Sequence, residues 1–131
     1  MKELRIFDKE KGFDYILSLS ELIKAIEEFD RNILSGLWVI KKGAYGYGEI
    51  ICAIEDKLKN NEQFIVKSSM IFPLLKSNEE YFNHVCMKKQ NYDLEIGVFD
   101  STYLFIRNNC TELLNYIKNK FKEVQFLIAN N

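Results

Sequence analysis

"DLEIGVFD" (93–100) runs straight into "STYLFIR" (101–107), and this stretch decides the fold class. Leu94, Ile96 and Val98 alternate with Asp93 and Glu95, the period-two pattern of a strand with one apolar face. Asp100 and Ser101 supply the polar residues of a tight turn, and an aromatic-rich second strand follows at once. The two runs therefore read as a β-hairpin. Beyond it, Asn109 and Glu112 cap a helix whose Leu113, Leu114, Ile117 and Phe121 form a stripe, and "EVQFLI" (123–128) closes as a strand. A C-terminal β-hairpin–helix–strand predicts an α/β chain of the α+β type, with a mixed, partly antiparallel sheet packed by helices.

Toward the N-terminus the elements continue to alternate. "LRIF" (4–7) reads as an edge strand, and "SLSELIKAIEEF" (18–29) as a helix opened by a Ser18–Glu21 capping box. The unbroken apolar run in "LSGLWVIKK" (34–42) predicts a strand buried on both faces. "EIICAIEDKLK" (49–59) is a helix with Ile50, Ile51, Ile54 and Leu58 on one stripe, and "QFIVK" (63–67) is a short strand. "SSMIFPLLKSNEEYFNHVCMKK" (68–89) reads as a helix broken near Pro73 and restarted by a Ser77–Glu80 capping box, with Tyr81, Phe82 and Val85 inward. No repeat or linker interrupts the chain, so residues 1–131 predict a single globular domain.

Composition excludes several classes. Hydrophobic residues at 47% and charged residues at 28% are values of a globular chain. A net charge of −1, with only Arg5, Arg31 and Arg107 as arginines, argues against nucleic-acid binding. Cys52, Cys86 and Cys110 form no Cys-x-x-Cys pair, which leaves neither a zinc site nor a thioredoxin-like site. Odd, unpaired thiols and a charged N-terminus without an apolar leader predict a cytoplasmic protein. No apolar run reaches the ~18–20 residues of a membrane span.

"KKGAYGYGE" (41–49) holds three of the six glycines and two of the seven tyrosines. The glycine order fits neither a phosphate loop nor a dinucleotide fingerprint, and Glu49 puts a carboxylate where a phosphate would sit. The stretch therefore predicts a flexible strand-to-helix turn, from which Tyr45 and Tyr47 project as contact groups beside Glu49. Asp93, Glu95 and Asp100 could hold a hard metal or do acid–base work, but alternation alone puts polar residues on the solvent side, so a solvated sheet face is the default reading. His84, the only histidine, sits two residues from Cys86, and on a helix those positions do not face each other. No catalytic residue, cofactor site or metal site follows from the sequence.

The string "LEIGVFDSTYLFIRNNCTELLNYIKNKFKEVQFL" (94–127) resembles small bacterial immunity proteins of polymorphic-toxin and contact-dependent growth inhibition systems. "GLWVI" (36–40) and the broken helix around Pro73 are similar to parts of the same proteins. The resemblance implies a non-catalytic protein that binds a cognate toxin domain and blocks its active site. Its partner-binding candidates are Tyr45, Tyr47, Glu49, Asp93 and Glu95, with a second acidic patch at Glu27, Glu28 and Asp30. Two alternatives remain open. One is a small enzyme with a site assembled from His84, a cysteine and the 93–100 carboxylates. The other is a regulatory or structural subunit, a homodimer through the 123–128 strand.

Overall fold

The structure, a computed structural model, describes residues 1–128. In chain order its elements are β1 (Lys2–Ile6), α1 (Leu19–Asp30), a 3-10 turn (Arg31–Leu34), β2 (Leu37–Lys41), β3 (Tyr45–Tyr47), α2 (Glu49–Leu58) and β4 (Gln63–Lys67). They continue with α3 (Ser68–Lys76), β5 (Tyr81–Lys89), β6 (Glu95–Phe99), β7 (Tyr103–Asn108), α4 (Thr111–Lys120) and β8 (Val124–Ile128). Eight strands form one antiparallel sheet in the order β4-β2-β5-β6-β7-β1-β8, with β3 on the same edge of β5 as β2. The α+β architecture predicted from the hairpin is present, and β6–β7 is that hairpin.

One face of the sheet carries Leu4, Ile6, Trp38, Ile40, Val85, Met87, Ile96, Val98, Leu104 and Ile106, all buried in a single core with the apolar stripes of the helices. Burial of such side chains stabilises by roughly 1.5–3 kcal/mol each. Trp38 anchors the centre: its ring meets Phe72 of α3 edge-on at 5.1 Å, and its Nε1 donates to the Leu34 carbonyl at 2.8 Å. All four helices contribute to this side, so the opposite face is free of helices.

Several local expectations change. β1 is not an edge strand; it lies between β7 and β8. β2 is buried on one face only, because Trp38 and Ile40 point into the core while Leu37 and Lys41 are exposed. Ile50 lies off the buried stripe of α2, which consists of Ile51, Ile54 and Leu58. The Ser18 hydroxyl bonds Ser20 rather than a backbone N–H of the first turn, so no side-chain cap forms there. Cys110, not Asn109, precedes the first turn of α4.

The largest correction falls on residues 77–89. α3 contains Pro73 and ends at Lys76; Asn78 then takes φ +63°, which stops helical propagation. Tyr81–Lys89 is β5, the strand that joins the two halves of the sheet. The Ser77–Glu80 box does not form. Glu80, itself buried, instead accepts from the Ile51 N–H at 2.8 Å and caps α2.

Candidate functional site

Glu80 explains the glycine-rich stretch. Gly48 precedes α2 with φ +123°, and a Cβ there would run into the Glu80 side chain. Gly46 lies against the Tyr81 carbonyl, with no room for a Cβ. The segment is thus not a flexible turn: Tyr45–Tyr47 is strand β3, paired with β5, and residues 42–44 are an interruption between β2 and β3. The positive end of α2 is occupied by a carboxylate, as the sequence implied, but that carboxylate belongs to Glu80 as well as Glu49.

Pairing of β3 with β5 stacks their aromatic rings. Tyr47 lies over Tyr81 at 5.5 Å, and Tyr45 over His84 at 5.8 Å, both nearly parallel. His84 meets Phe99 edge-on at 5.3 Å, Phe99 stacks on Tyr103 at 5.3 Å, and Tyr103 contacts Phe7 at 5.3 Å. Arg5 caps the row, 4.6 Å from the Tyr103 ring centre. A continuous row of rings therefore runs from Tyr45 to Phe7, with Tyr47 and Tyr81 as a second stacked pair beside it. Tyr45, Tyr47, Tyr81 and Phe99 are exposed, Tyr47 to 63%.

The hairpin turn locks this row. Asp100 and Ser101 take φ +44° and +56°, as in the turns that suit a hairpin's twist, and the Thr102 N–H donates to Phe99. Asp100 donates its N–H to His84 Nδ1 at 3.1 Å, and Ser101 donates to the Asn83 carbonyl at 2.7 Å. The Tyr45 hydroxyl donates to the Asp100 carboxylate. Because Nδ1 accepts, the neutral imidazole carries its proton on Nε2.

A second feature of the helix-free face is a chain of ion pairs. Arg107 bridges Glu3 and Glu95, the latter at 2.7 Å; Lys41 reaches Glu95 at 2.9 Å, and Arg5 pairs with Glu3. Glu3 and Glu95 are only 4% and 6% exposed. Burial would push both carboxyls up, but the hydrogen bonds from Arg107 with Arg5, and from Lys41 with Arg107, outweigh it and hold both below the ordinary value. Phe105 fills the space over Gly97, where a Cβ would collide with the Val85 carbonyl and the ring.

These positions sort the candidates. Tyr45, Tyr47 and Glu49 are all exposed, the tyrosines on β3 and Glu49 in the first turn of α2. Asp93 is exposed in the turn before β6, at the opposite end of that strand from Asp100. Glu95 is not on a solvated face; it is buried and paired. Of the Glu27, Glu28 and Asp30 patch, Glu27 and Glu28 are each held by a lysine, Lys76 at 3.0 Å and Lys120 at 2.7 Å, and Asp30 accepts from the Asn32 N–H. His84 and Cys86 share a strand rather than a helix, and no hydrogen bond joins them among the described residues. Burial, then the Glu95 charge, pushes the Cys86 thiol up, away from the thiolate a nucleophile needs. Among the described residues no three His, Cys, Asp or Glu side chains gather as a metal site, and no helix is long and apolar enough to cross a membrane.

Tyr81, Phe99 and Tyr103 are residues that the sequence left out of the site, and His84 was named only for the enzyme alternative. Phe99 and Tyr103 flank the Asp100–Ser101 turn, so hairpin pairing was a legible signal for their contact. Tyr81 and His84 were hidden by the helical reading of 77–89. The chain matches no protein-family model, and neither a curated protein nor a solved structure is similar enough to assign it to a family.

Proposed function

We infer that this protein acts by binding another protein, and that it is an immunity protein whose exposed aromatic row docks on a cognate toxin domain in the cytoplasm. The observation that carries the reading is the row itself: paired rings from β3, β5, β6 and β7, exposed and held by the Asp100 turn. Tyrosine-rich, pre-organised surfaces suit protein recognition, because the rings offer large contact area with little entropy left to lose. Each stack uses one face of each ring. The outer faces and free edges remain for a partner, which suits a protein surface. The raised Cys86 thiol and the engaged His84 Nδ1 give the enzyme alternative less support.

The test is co-expression. The toxin domain encoded beside this gene is produced in a bacterial host with and without the protein. Protection of growth, lost on combined Tyr47→Ala and Tyr81→Ala substitution while the fold persists, supports the reading. A neighbouring gene that encodes no toxin, or a toxin that kills regardless, overturns it.

The subunit alternative rests on a separate observation. β8 ends the sheet, with Phe126 and Ile128 exposed along it, and an open apolar edge favours strand addition by a second copy. Light scattering on the purified protein tests it, and a monomeric mass at high concentration removes it.

A further inference from the structure

Residues 8–17 fold back as a tight hairpin: Glu10 donates to the Tyr15 carbonyl at 3.0 Å, Phe13 to Glu10 at 2.9 Å, and Leu17 to Asp8 at 3.0 Å. The Asp8 carboxylate, in turn, accepts from the backbone of Lys122 and Glu123, which ties the hairpin to the start of β8. The hairpin holds Phe13 and Tyr15 stacked at 4.9 Å, yet each is 56% exposed. Nothing in the core requires two large rings there.

These rings line a groove of about 690 Å³ that reaches Tyr81 on β5 and Asn78 before it. Glu10 and Glu21 supply its charge, and no lysine or arginine lines it. Glu10 is half-buried without an ion pair among the described residues, and Glu21 meets only Lys24 at 3.7 Å. This groove is therefore acidic and aromatic, whereas Arg5, Lys41 and Arg107 lie on the helix-free sheet face and are matched there by Glu3 and Glu95.

We propose that the groove receives an arginine side chain from the partner protein, its guanidinium lying on the Phe13–Tyr15 and Tyr81 rings and pairing with Glu10 and Glu21. A guanidinium is planar, weakly hydrated and always charged, so it stacks on aromatic rings and donates to carboxylates from its edge. Lysine offers only a compact, strongly hydrated charge. Tyr81 belongs to both the groove and the stacked pair with Tyr47, which makes the groove continuous with the aromatic row. The inference rests on the protein-binding reading and names the chemistry at one end of that surface.

The probe is an acetylated, amidated Gly-Arg-Gly peptide, with citrulline and lysine versions as controls, titrated into the isotope-labelled protein by NMR. The expected result is shifts confined to residues 10–21 and 78–83, with the arginine peptide roughly fivefold or more tighter than the citrulline one. Combined Glu10→Gln and Glu21→Gln substitution, on exposed or half-buried positions, should abolish that preference without altering the rest of the spectrum. Equal binding of arginine and citrulline, or shifts elsewhere, overturns the proposal. Arginine selectivity without neutralisation of the toxin domain leaves the groove standing and removes the immunity reading; neutralisation without arginine selectivity does the reverse.

Discussion

Tyr45 donates its phenolic proton to the carboxylate of Asp100, a residue 55 positions further along the chain. The same Asp100 donates its backbone N–H to His84, on which Tyr45 is stacked. Three side chains from β3, β5 and the β6–β7 turn thus fix one another. Tyr45→Phe keeps the stacked ring and deletes only the hydroxyl, so it should lower stability by about 0.5–1.5 kcal/mol in urea unfolding. A variant as stable as the parent would show that the hydroxyl–carboxylate link contributes nothing.

If the aromatic row is the docking surface, combined Tyr45→Ala and Tyr47→Ala should weaken the complex with the toxin domain by about 2–4 kcal/mol. Folding stability should fall by more than in Tyr45→Phe, about 1–3 kcal/mol, because two stacked pairs are lost with the hydroxyl bond, yet the sheet and core remain. Calorimetric titration measures the first quantity and urea unfolding the second. An unchanged dissociation constant would remove β3 from the interface.

Trp38 is fully buried, packs edge-on against Phe72 and has its indole N–H satisfied by Leu34. Trp38→Ala should therefore cost about 3–5 kcal/mol, a large fraction of the roughly 5–15 kcal/mol that stabilises a domain. Circular dichroism during chemical unfolding would register the loss.

Glu3 and Glu95 have carboxyls depressed below the ordinary value of 4.5. A depressed acid contributes its stability above the unfolded value and loses it as pH falls through the folded value. The ion-pair chain should therefore be fully effective at about pH 6–7 and fade below about pH 4.5. Glu95→Gln should lower the urea midpoint near neutrality and flatten the decline toward acid. Parallel wild-type and variant curves would refute this assignment.

Cys52 and Cys110 are exposed, whereas Cys86 is partly covered and its thiol is pushed up by burial and by Glu95. Iodoacetamide at neutral pH should modify Cys52 and Cys110 first and leave Cys86 unmodified until the protein unfolds. Timed mass spectrometry reads the order directly.

Much of the fold was legible because local geometry writes itself into spacing. Leu22, Ile23 and Ile26 repeat at the helical period, and Leu94, Ile96 and Val98 at the strand period, and both elements formed as read. The 77–89 segment failed for a definite reason. Ser77 followed by Glu80 satisfies the spacing of a helix cap, but a carboxylate can cap any helix end it reaches, and Glu80 reaches Ile51, 29 residues away. Once Glu80 was claimed by α2, nothing held a second helix at 77, and Tyr81–Lys89 paired with three other strands, β2, β3 and β6, instead.

The candidate site was half visible. Tyr45 and Tyr47 stood out by their glycine neighbours, whereas Glu95, from the same set, is buried in an ion-pair chain. Alternation places a residue on a face; it does not say whether that face is wet, and here Phe105, Arg107 and Lys41 cover Glu95's surroundings.

By itself the sequence determined the α+β class, the C-terminal hairpin, three of the amphipathic helices and the absence of recognisable nucleotide or Cys-x-x-Cys motifs, because those depend on covalent periodicity and residue chemistry. Tertiary structure alone decided that β5 is a strand, that Glu80 caps α2, and that Tyr45, His84, Phe99 and Tyr103 stand in one row. Those depend on strand register and on contacts between residues far apart in the chain, which no local spacing encodes.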